Sequence, residues 1–305
     1  MMICSWKTQP DTERILATGT NPPDLAVPDG EFPFTWADFR QIAELVHSEA
    51  GIVLTESKAN LVYSRLAKRL RAIGLRTFRE YCALIQGEDG IDERQAMIAA
   101  MTTNVTRFFR ESHHFDYLRA RVLPDLIEGA RKGGKVRIWS AGCSSGEEAY
   151  SIALTILELA PDAAEMDVRI LASDIDPEML RRGNTGVYAV RQMGDIPQEL
   201  RRKWFRIVQG SGGSDLEVGE EMRELVRFRE LNLLRDWPMR GRFDIIFCRN
   251  VMIYFDDDTQ KTVWDRFAGI LKPDGTLCIG HSERISTAHH PYDLVGQTIY
   301  RRLGA

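Results

Sequence analysis

Two adjacent carboxylates follow a run of small residues in the stretch "WSAGCSSGEEAYSIA". Gly142 and Gly146 permit a tight turn and a close approach of the backbone to a ligand, and Glu147 and Glu148 open the helix that follows. A helix N-terminus attracts phosphate, whereas two acids placed there repel it. The pattern therefore disfavours a dinucleotide or ATP and favours a ligand with cationic groups. The alternative is that both acids only stabilise the helix dipole.

A further carboxylate, Asp174, ends the apolar stretch "VRILASD". The distance from Gly146 to Asp174 corresponds to one helix and one strand, so the acid is expected at the same edge of a sheet as the glycine-rich turn. A carboxylate there can accept hydrogen bonds from both hydroxyls of a ribose. The alternative is an acid that only completes a turn. Asp176, just before Pro177, is predicted to cap the next helix instead of binding a ligand.

Two more polar pairs follow predicted strands. In "FDIIFCRNVMIYF" the residues Arg249 and Asn250 emerge from a buried strand, and an asparagine offers both a donor and an acceptor to a polar ligand. Tyr254 is expected near the mouth of the same site. Asn232 and Leu233, in "LNL", end the preceding strand and are candidates to hold an adenine ring.

Polar residues also alternate with apolar ones in "TTNVTRFFRESHHF". Phe108 and Phe109 are expected to be core residues. Asn104, Thr106 and Arg110 lie at the junction between two predicted domains, which suggests a lid over a shared cleft. Arg110 is suited to pair with a carboxylate of a substrate or cofactor.

The elements that position these residues change character along the chain. Residues 1–33 are predicted to be a flexible tail and residues 34–106 a helical domain, with Thr35 as an N-cap and Gly51 and Gly74 as helix ends. A linker helix is expected over 107–133, from about Arg107 to Ala130, with a bend near Pro124.

Strands alternate with helices over residues 134–305, which predicts a mostly parallel sheet covered on both faces. Ligands of such sheets bind outside the carboxyl ends of the strands. Strand-like pieces around the turn "GSGG" predict a small antiparallel insertion at about 202–228, with a surface loop as the alternative.

Composition excludes several classes of protein. The chain has 305 residues and a net charge of −4, so a globally basic nucleic-acid binder is not expected. Five scattered cysteines and six histidines give no support to a metal site. No apolar run is long enough to span a membrane, and no signal peptide is evident, so we expect a cytoplasmic protein that is not inserted in a membrane.

Taken together, five motifs make the chain resemble the chemotaxis receptor methyltransferases, the CheR family, over about Thr35 to Arg302. They are "MTTNVTRFFRESHHF", "WSAGCSSGEEAYSIA", "LASDID", "FDIIFCRNVMIYFD" and "LKPDGTLCIGHSE". The resemblance implies an α/β fold, namely a class I methyltransferase (Rossmann-like) doubly wound sheet with a small inserted antiparallel β-subdomain, preceded by an all-α N-terminal domain. It also implies an enzyme, a protein-glutamate O-methyltransferase that uses S-adenosylmethionine and releases S-adenosylhomocysteine.

The resemblance also assigns roles to residues. Arg110 and Tyr254 would flank the transferred methyl group and the incoming carboxylate. The implied cofactor contacts are Asn104, Thr106, Arg110, Gly142, the pair Glu147 and Glu148, Asp174, Asn232, Leu233, Arg249 and Asn250. It does not decide which of the two glutamates faces the cofactor, and Glu148 is preferred.

The implied partners are methyl-accepting chemotaxis receptors, at whose membrane-bound arrays the enzyme would act. Their glutamate-rich cytoplasmic helices suit a basic surface on the second helix, and their C-terminal pentapeptide can dock on the inserted subdomain in such proteins. The expected docking residues are Lys58, Arg65, Lys68, Arg69 and Arg71, with few acids nearby. The alternatives are a merely solvated helix face, a non-catalytic module that binds S-adenosylmethionine, and a methyltransferase acting on RNA or a small molecule.

Overall fold

The computed structural model describes residues 30–286 and 290–304. Its helices are α1 Trp36–Ala50, α2 Ala59–Ile73, α3 Phe78–Gln86, α4 Ile91–Met101, α5 His113–Tyr117, α6 Leu123–Arg131, α7 Glu147–Leu159, α8 Pro177–Thr185, α9 Gln198–Trp204, α10 Glu220–Leu225 and α11 Asp257–Ile270. None of these helices is long and apolar enough to cross a lipid bilayer.

Helices α1 to α4 pack around their own apolar core. The caps predicted for α1 and α2 are confirmed. The Thr35 side chain accepts a hydrogen bond from the Asp38 N–H, and the Asp38 carboxylate accepts one from the Thr35 N–H. Gly51 and Gly74 end the two helices in the left-handed conformation, at φ 69° and 77°, which glycine adopts without steric cost.

The predicted tail extends too far towards the helical domain. Residues 1–29 lie outside the described residues, but Phe32 is 7% exposed and belongs to the core of the helical domain. Its N–H donates to the Tyr63 hydroxyl at 3.1 Å. Phe32 is therefore part of the folded domain, because an aromatic ring gains free energy when it is buried.

The predicted linker helix starts later than expected. Residues 107–112 form turns in which Phe109 and Glu111 have φ values of 49° and 57°. A right-handed helix cannot include left-handed residues, so it begins only at His113. One π-helical turn then joins α5 to α6, and Pro124 lies in the first turn of α6, where its missing N–H needs no partner.

The second domain is built on a seven-stranded sheet. The strands in the described part of the chain are β1 Val136–Ala141, β2 Val168–Asp174, β3 Val187–Ala189, β4 Phe205–Ile207, β5 Asp215–Val218, β6 Val226–Glu230, β7 Phe243–Cys248, β8 Leu271–Ile279, β9 Tyr292–Gly296 and β10 Ile299–Arg302. The strand order in the large sheet is β6-β2-β1-β7-β8-β10-β9. The first five strands of that order are parallel, β10 pairs with β8 in antiparallel fashion, and β9 pairs with β10 in antiparallel fashion at the edge.

Both faces of this sheet are covered. Ile138 of β1 packs into one apolar core with α6, α7 and α10, whereas its neighbour Trp139 packs into another with α11. Alternate residues of a strand point to opposite faces, so β1 is buried on both sides. The α/β fold expected from the alternating pattern is confirmed. The carboxyl ends of β1, β2 and β7 meet at one edge of the sheet.

The inserted antiparallel sheet has other boundaries than predicted. Its strands β3, β5 and β4 lie at 187–218, whereas residues 226–230 form β6 and pair with β2 in parallel. The expected range of 202–228 is therefore wrong at both ends. The three-residue strands β3 and β4 carry too little alternation to be recognised. The sheet that β6 joins depends on its pairing with β2, which local sequence does not reveal.

Candidate functional site

A cavity of about 310 Å³ lies between the helical domain and the carboxyl edge of the large sheet. The helical domain and the segment that follows it contribute Ala50, Ile52 and residues 102–107, and the sheet contributes the loops after β1, β2 and β7. The volume suits a small organic ligand. Of the predicted cofactor contacts, the lining includes Asn104, Thr106, Arg110, Gly142, Glu148, Asp174, Asn232, Leu233, Arg249 and Asn250, together with the predicted catalytic Tyr254.

The loop after β1 is shaped by two left-handed glycines. Gly142 has φ 77°, and a Cβ atom built there would lie 2.4 Å from the Val251 side chain. Gly146 has φ 94° and caps α7. A residue with a side chain would therefore be strained at either position and would push the loops after β1 and β7 apart at Gly142. These contacts explain why the stretch requires glycine.

The two adjacent glutamates have different surroundings. Glu148 lines the cavity, and its carboxylate accepts hydrogen bonds from Ser140 Oγ at 2.7 Å and Arg249 Nη1 at 3.2 Å. Glu147 is buried, does not line the cavity and accepts a hydrogen bond from Ser145 Oγ at 2.8 Å. Burial raises the pKa of the Glu148 carboxyl, and the Arg249 guanidinium offsets part of this effect.

Asp174 is buried at the end of β2, where it joins two loops. One carboxylate oxygen accepts the Ser144 N–H at 2.7 Å, and the other accepts the Asp176 N–H at 3.0 Å. Burial raises the pKa of Asp174, and these two N–H groups act in the opposite direction. Each carboxylate oxygen retains a lone pair for a further donor. Asp176 caps α8 as predicted, accepting from the N–H groups of Glu178 and Met179.

Arg249 is a buried cation between two acids. Its guanidinium contacts Glu148 on one side and Glu111 Oε2, at 3.4 Å, on the other, and it also donates to the Arg110 carbonyl. The Arg249 side chain is only 2% exposed. Burying this positive charge without the two acids would cost a large free energy. Although burial acts to raise the pKa of Glu111, Arg249 and His281 together lower it. Sequence reasoning missed Glu111, because its partners come from distant parts of the chain.

Glu111 also lies near His113 and His114, and these three residues offer potential metal-ligand atoms within 4.8 Å of one another. Burial lowers the pKa of His114 to about 3, and the charge of Arg249 acts in the same direction. The His114 imidazole is therefore neutral at physiological pH. The cation that neutralises Glu111 in this arrangement is the Arg249 guanidinium.

The segment between the two domains holds the other side of the cavity. Asn104 donates to the Asp176 carboxylate at 2.8 Å, which ties this segment to the start of α8. Arg110 donates to the Val105 carbonyl at 2.8 Å, so its guanidinium folds back over the lining. Phe108 is fully buried and Phe109 packs on the same core, as expected.

Asn232 has a structural role that the sequence did not indicate. Its amide group donates to the Glu49 carbonyl at 2.7 Å, and its Oδ1 accepts the Leu234 N–H at 2.9 Å. The side chain therefore attaches the end of α1 to the sheet domain. Leu233 is 8% exposed and supplies apolar surface to the cavity.

Asn250 leaves β7 in the left-handed conformation, at φ 59°, and its Oδ1 atom is buried without a hydrogen-bond partner. The N–H groups of Asn250, Val251 and Met252 all donate to the Glu283 carboxylate. Glu283 ends the motif "LKPDGTLCIGHSE", whose sequence does not indicate a role for this acid. The only signal was a lone acid after a strand, which does not reveal what it binds.

Three of the five predicted docking residues have partners in the helical domain or just before it, although Arg71 and its partner Glu31 are both exposed. Arg65 donates to the carbonyls at the end of α4, including that of Met101 at 2.8 Å. Arg69 pairs with buried Glu93 at 2.5 Å, and Arg71 pairs with Glu31 at 2.5 Å.

The expectation of few acids near this helix is therefore wrong for Arg69 and Arg71. Their partners are 24 and 40 residues away in sequence, so local composition could not reveal them. Lys58 and Lys68 are exposed.

The lining suits a ligand that has an apolar part and carries positive charge but no phosphate. Glu148 and Asp174 supply negative charge, Leu233 supplies apolar surface, and the buried Asn250 Oδ1 lacks a donor. Nothing in this set resembles a cluster of N–H groups prepared for phosphate, because the acids already occupy the positive end of α7.

Comparison with known proteins identifies the family. The family model described as "CheR methyltransferase, all-alpha domain" matches residues 37–102, and "CheR methyltransferase, SAM binding domain" matches residues 104–301. A probable chemotaxis protein methyltransferase of Rhizobium etli is 50% identical over 84% of this chain and 96% of that protein. Chemotaxis protein methyltransferase 2 of Pseudomonas aeruginosa is 43% identical over 92% and 98%, and the chemotaxis protein methyltransferase of Salmonella typhimurium is 44% identical over 87% and 89%. The chain therefore belongs to the CheR methyltransferase family, with S-adenosylmethionine as its cofactor.

Proposed function

We propose that this protein methylates glutamate side chains on the cytoplasmic helices of chemotaxis receptors, forming methyl esters that serve sensory adaptation. The observation that carries the proposal is the chemistry of the cavity lining. Over the described residues the lining contains arginines but no histidine or cysteine, and the carboxylates of Glu148 and Asp174 are already engaged by Arg249 and by backbone N–H groups. A glutamate acceptor needs no such base, because its pKa is near 4.3 and it is ionised at neutral pH.

The cofactor supplies an activated methyl group on a sulfonium. In this proposal Asp174 accepts the ribose hydroxyls, Glu148 and Asn250 hold the polar tail, and Asn232 and Leu233 border the adenine. Asn104 and Thr106 close the lining from the helical side. Gly142 leaves room for the cofactor, and Arg249 favours the ionised form of Glu148 through their contact at 3.2 Å.

Arg110 and Tyr254 are proposed to receive the acceptor carboxylate. Removing water from a carboxylate costs free energy, which a charge-assisted hydrogen bond from Arg110 would partly offset. The backbone of Tyr254 is fixed to the helical domain, because its carbonyl accepts the Val53 N–H at 2.9 Å. The rate enhancement would then come from aligning the acceptor oxygen with the methyl group and excluding water.

Receptor docking is proposed at two places. The exposed Lys58 and Lys68 would attract acidic receptor helices, although the structure leaves fewer free cations there than the sequence suggested. The small sheet has open edges at β3 and β4, and an extended receptor pentapeptide would add to one of them as a further strand. Binding at these places would recruit the protein from the cytoplasm to membrane-bound receptor arrays.

The proposed function is tested by incubating the protein with methyl-labelled cofactor and receptor-containing membranes. Label released as methanol by base supports a carboxyl ester, whereas base-stable label argues against it. Label in an RNA or small-molecule fraction would support a different acceptor. Tight cofactor binding without any labelled acceptor in a whole-cell lysate would support a non-catalytic module.

The same assay tests Arg110. Arg110→Ala is expected to reduce turnover about 100-fold or more while the melting temperature changes little, because the exposed part of a side chain contributes weakly to stability. A large fall in melting temperature would instead assign Arg110 a structural role. Titration with a receptor C-terminal pentapeptide, run alongside, tests docking on the small sheet.

A further inference from the structure

Glu283 lies just beyond β8 and is 4% exposed. Its carboxylate accepts four backbone hydrogen bonds. Oε1 accepts the N–H groups of Val251 at 2.9 Å and Met252 at 2.8 Å, and Oε2 accepts those of Asn250 at 3.0 Å and Gly280 at 2.5 Å. One side chain thus joins the loop after β7 to the loop after β8.

The loop after β7 needs this acceptor. Three successive N–H groups leave the sheet here, and a strand ladder cannot pair all three, because alternate groups of a strand point in opposite directions. Buried N–H groups without partners are strongly unfavourable. Asn250 must also adopt a left-handed conformation, which few residues other than glycine tolerate. The two oxygens of one carboxylate accept hydrogen bonds from all three N–H groups of the turn.

This turn forms one wall of the cofactor cavity. Asn250, Val251 and Tyr254 line the cavity, whereas Glu283 does not. Gly280 lies so close to the turn that a Cβ atom on it would be 2.5 Å from Asn250 Nδ2. Val251 in turn contacts Gly142 of the glycine-rich loop. A shift of the turn would therefore displace both walls at once.

We propose that Glu283 is a positioning residue for cofactor binding: by accepting the N–H groups of Asn250, Val251 and Met252, it sets the orientation of the Asn250 side chain in the cavity. The proposal rests on the cofactor part of the proposed function and does not depend on which acceptor is methylated. Glu283 touches neither cofactor nor substrate, so it acts only through the turn.

The test compares Glu283→Gln with Asp244→Asn in the full chain. Glutamine replaces one acceptor oxygen with an N–H₂ group that would face backbone donors. Asp244 is a matched control, because it is also buried, accepts the Arg137 N–H at 2.9 Å and pairs with Lys272 at 2.7 Å, but lies at the other end of β7. Both variants are expected to melt at lower temperature.

Affinity for S-adenosylhomocysteine, measured by calorimetry well below both melting temperatures, separates the two roles. We expect E283Q to bind at least tenfold more weakly and D244N to bind within twofold of the original chain. Amide hydrogen exchange at residues 250–252 should accelerate in E283Q alone. Equal affinity of E283Q and the original chain would overturn the proposal and leave Glu283 as a structural residue.

Glu283→Asp provides a second measurement should E283Q fail to fold. It keeps the charge but shortens the side chain by one methylene, so it cannot reach all four donors. We expect at least threefold weaker binding with an unchanged circular dichroism spectrum, and unchanged binding would again overturn the proposal. If the original chain binds S-adenosylhomocysteine but methylates no receptor, the glutamate acceptor is wrong and the role of Glu283 stands.

Discussion

Glu147 and Glu148 are consecutive residues that meet different neighbours, and this difference can be measured. Only Glu148 lines the cavity, whereas Glu147 is buried against Ser145. We expect Glu148→Gln to weaken cofactor binding roughly tenfold, about 1.4 kcal/mol, because the variant removes the negative charge that faces a cationic ligand. Glu147→Gln should change binding less than twofold. Calorimetric titration measures the cofactor affinity of both variants. If Glu147→Gln weakened binding more than Glu148→Gln, the contact would be assigned to Glu147.

Asp174 is expected to matter for binding because its carboxylate lies in the lining and is already oriented by two backbone N–H groups. Asp174→Ala should weaken cofactor binding by about 1–3 kcal/mol through loss of charged hydrogen bonds. Asp167→Ala is a suitable control, because Asp167 precedes the same strand and pairs with Arg137 at the opposite end. Unchanged affinity of the Asp174 variant would remove this residue from the ribose role.

At the scale of elements, the small sheet supports the cofactor loop. Tyr188 of β3 donates from its buried hydroxyl to the Ser145 carbonyl at 2.7 Å. Tyr188→Phe should lower the free energy of unfolding by about 1–2 kcal/mol, because a buried carbonyl loses its partner, and should also weaken cofactor binding. Urea unfolding and calorimetry measure the two effects.

Tyr292→Phe is the matched control for Tyr188→Phe. Its buried hydroxyl donates to the Trp264 carbonyl at 3.1 Å, in a different part of the sheet domain. A similar loss of stability is expected, with unchanged cofactor affinity. Equal effects of both variants on affinity would mean that Tyr188 acts through general stability and not through the loop.

The elements that the sequence predicted well are those with local signals. The capping residues of α1 and the glycine that ends it depend on contacts within a few positions, so Thr35 and Gly51 could be assigned from the sequence. The three-residue strands of the small sheet have no such signal, because their pairing partners are up to about 30 residues away. Val226–Glu230 was clearly strand-like, but which sheet it joins depends on its pairing with β2.

The residues of the candidate site also differ in how far the sequence could predict them. Asp174 at the end of β2 and Asn250 just beyond β7 could be placed at one edge of the sheet, because parallel strands bring their carboxyl ends together. Glu111 and Glu283 were not assigned, because each acts through groups from a distant part of the chain. The pairing of Arg69 with Glu93 could not be predicted either, because Glu93 belongs to another helix.

At the scale of the whole molecule, the cavity lies between the two domains, and both contribute to its lining. The end of α1 is held on the sheet domain by Asn232, which donates to the Glu49 carbonyl, and by the pair Arg235 and Glu49 at 2.6 Å. His47 contacts the Asp256 carboxylate at 2.7 Å nearby. Because Ala50 and Ile52 line the cavity beside these contacts, the packing of the domains should control cofactor affinity.

Gly51 allows this connection to be tested. It ends α1 at φ 69°, and a Cβ atom there would lie 2.7 Å from the Leu234 side chain and 3.3 Å from Phe255. Gly74 ends α2 at φ 77° with no atom within 4 Å of such a Cβ. Both glycine-to-alanine variants should lose about 1–2 kcal/mol of stability from the left-handed conformation.

Only Gly51→Ala should also disturb the packing of the end of α1 against Leu234 and Phe255. We therefore expect it to weaken binding of S-adenosylhomocysteine severalfold, whereas Gly74→Ala should bind like the original chain; urea unfolding and calorimetry measure the two quantities. Equal affinity in both variants would show that the sheet domain holds the cofactor without help from α1. The cavity wall at Ala50 and Ile52 would then serve another purpose, such as contact with the acceptor.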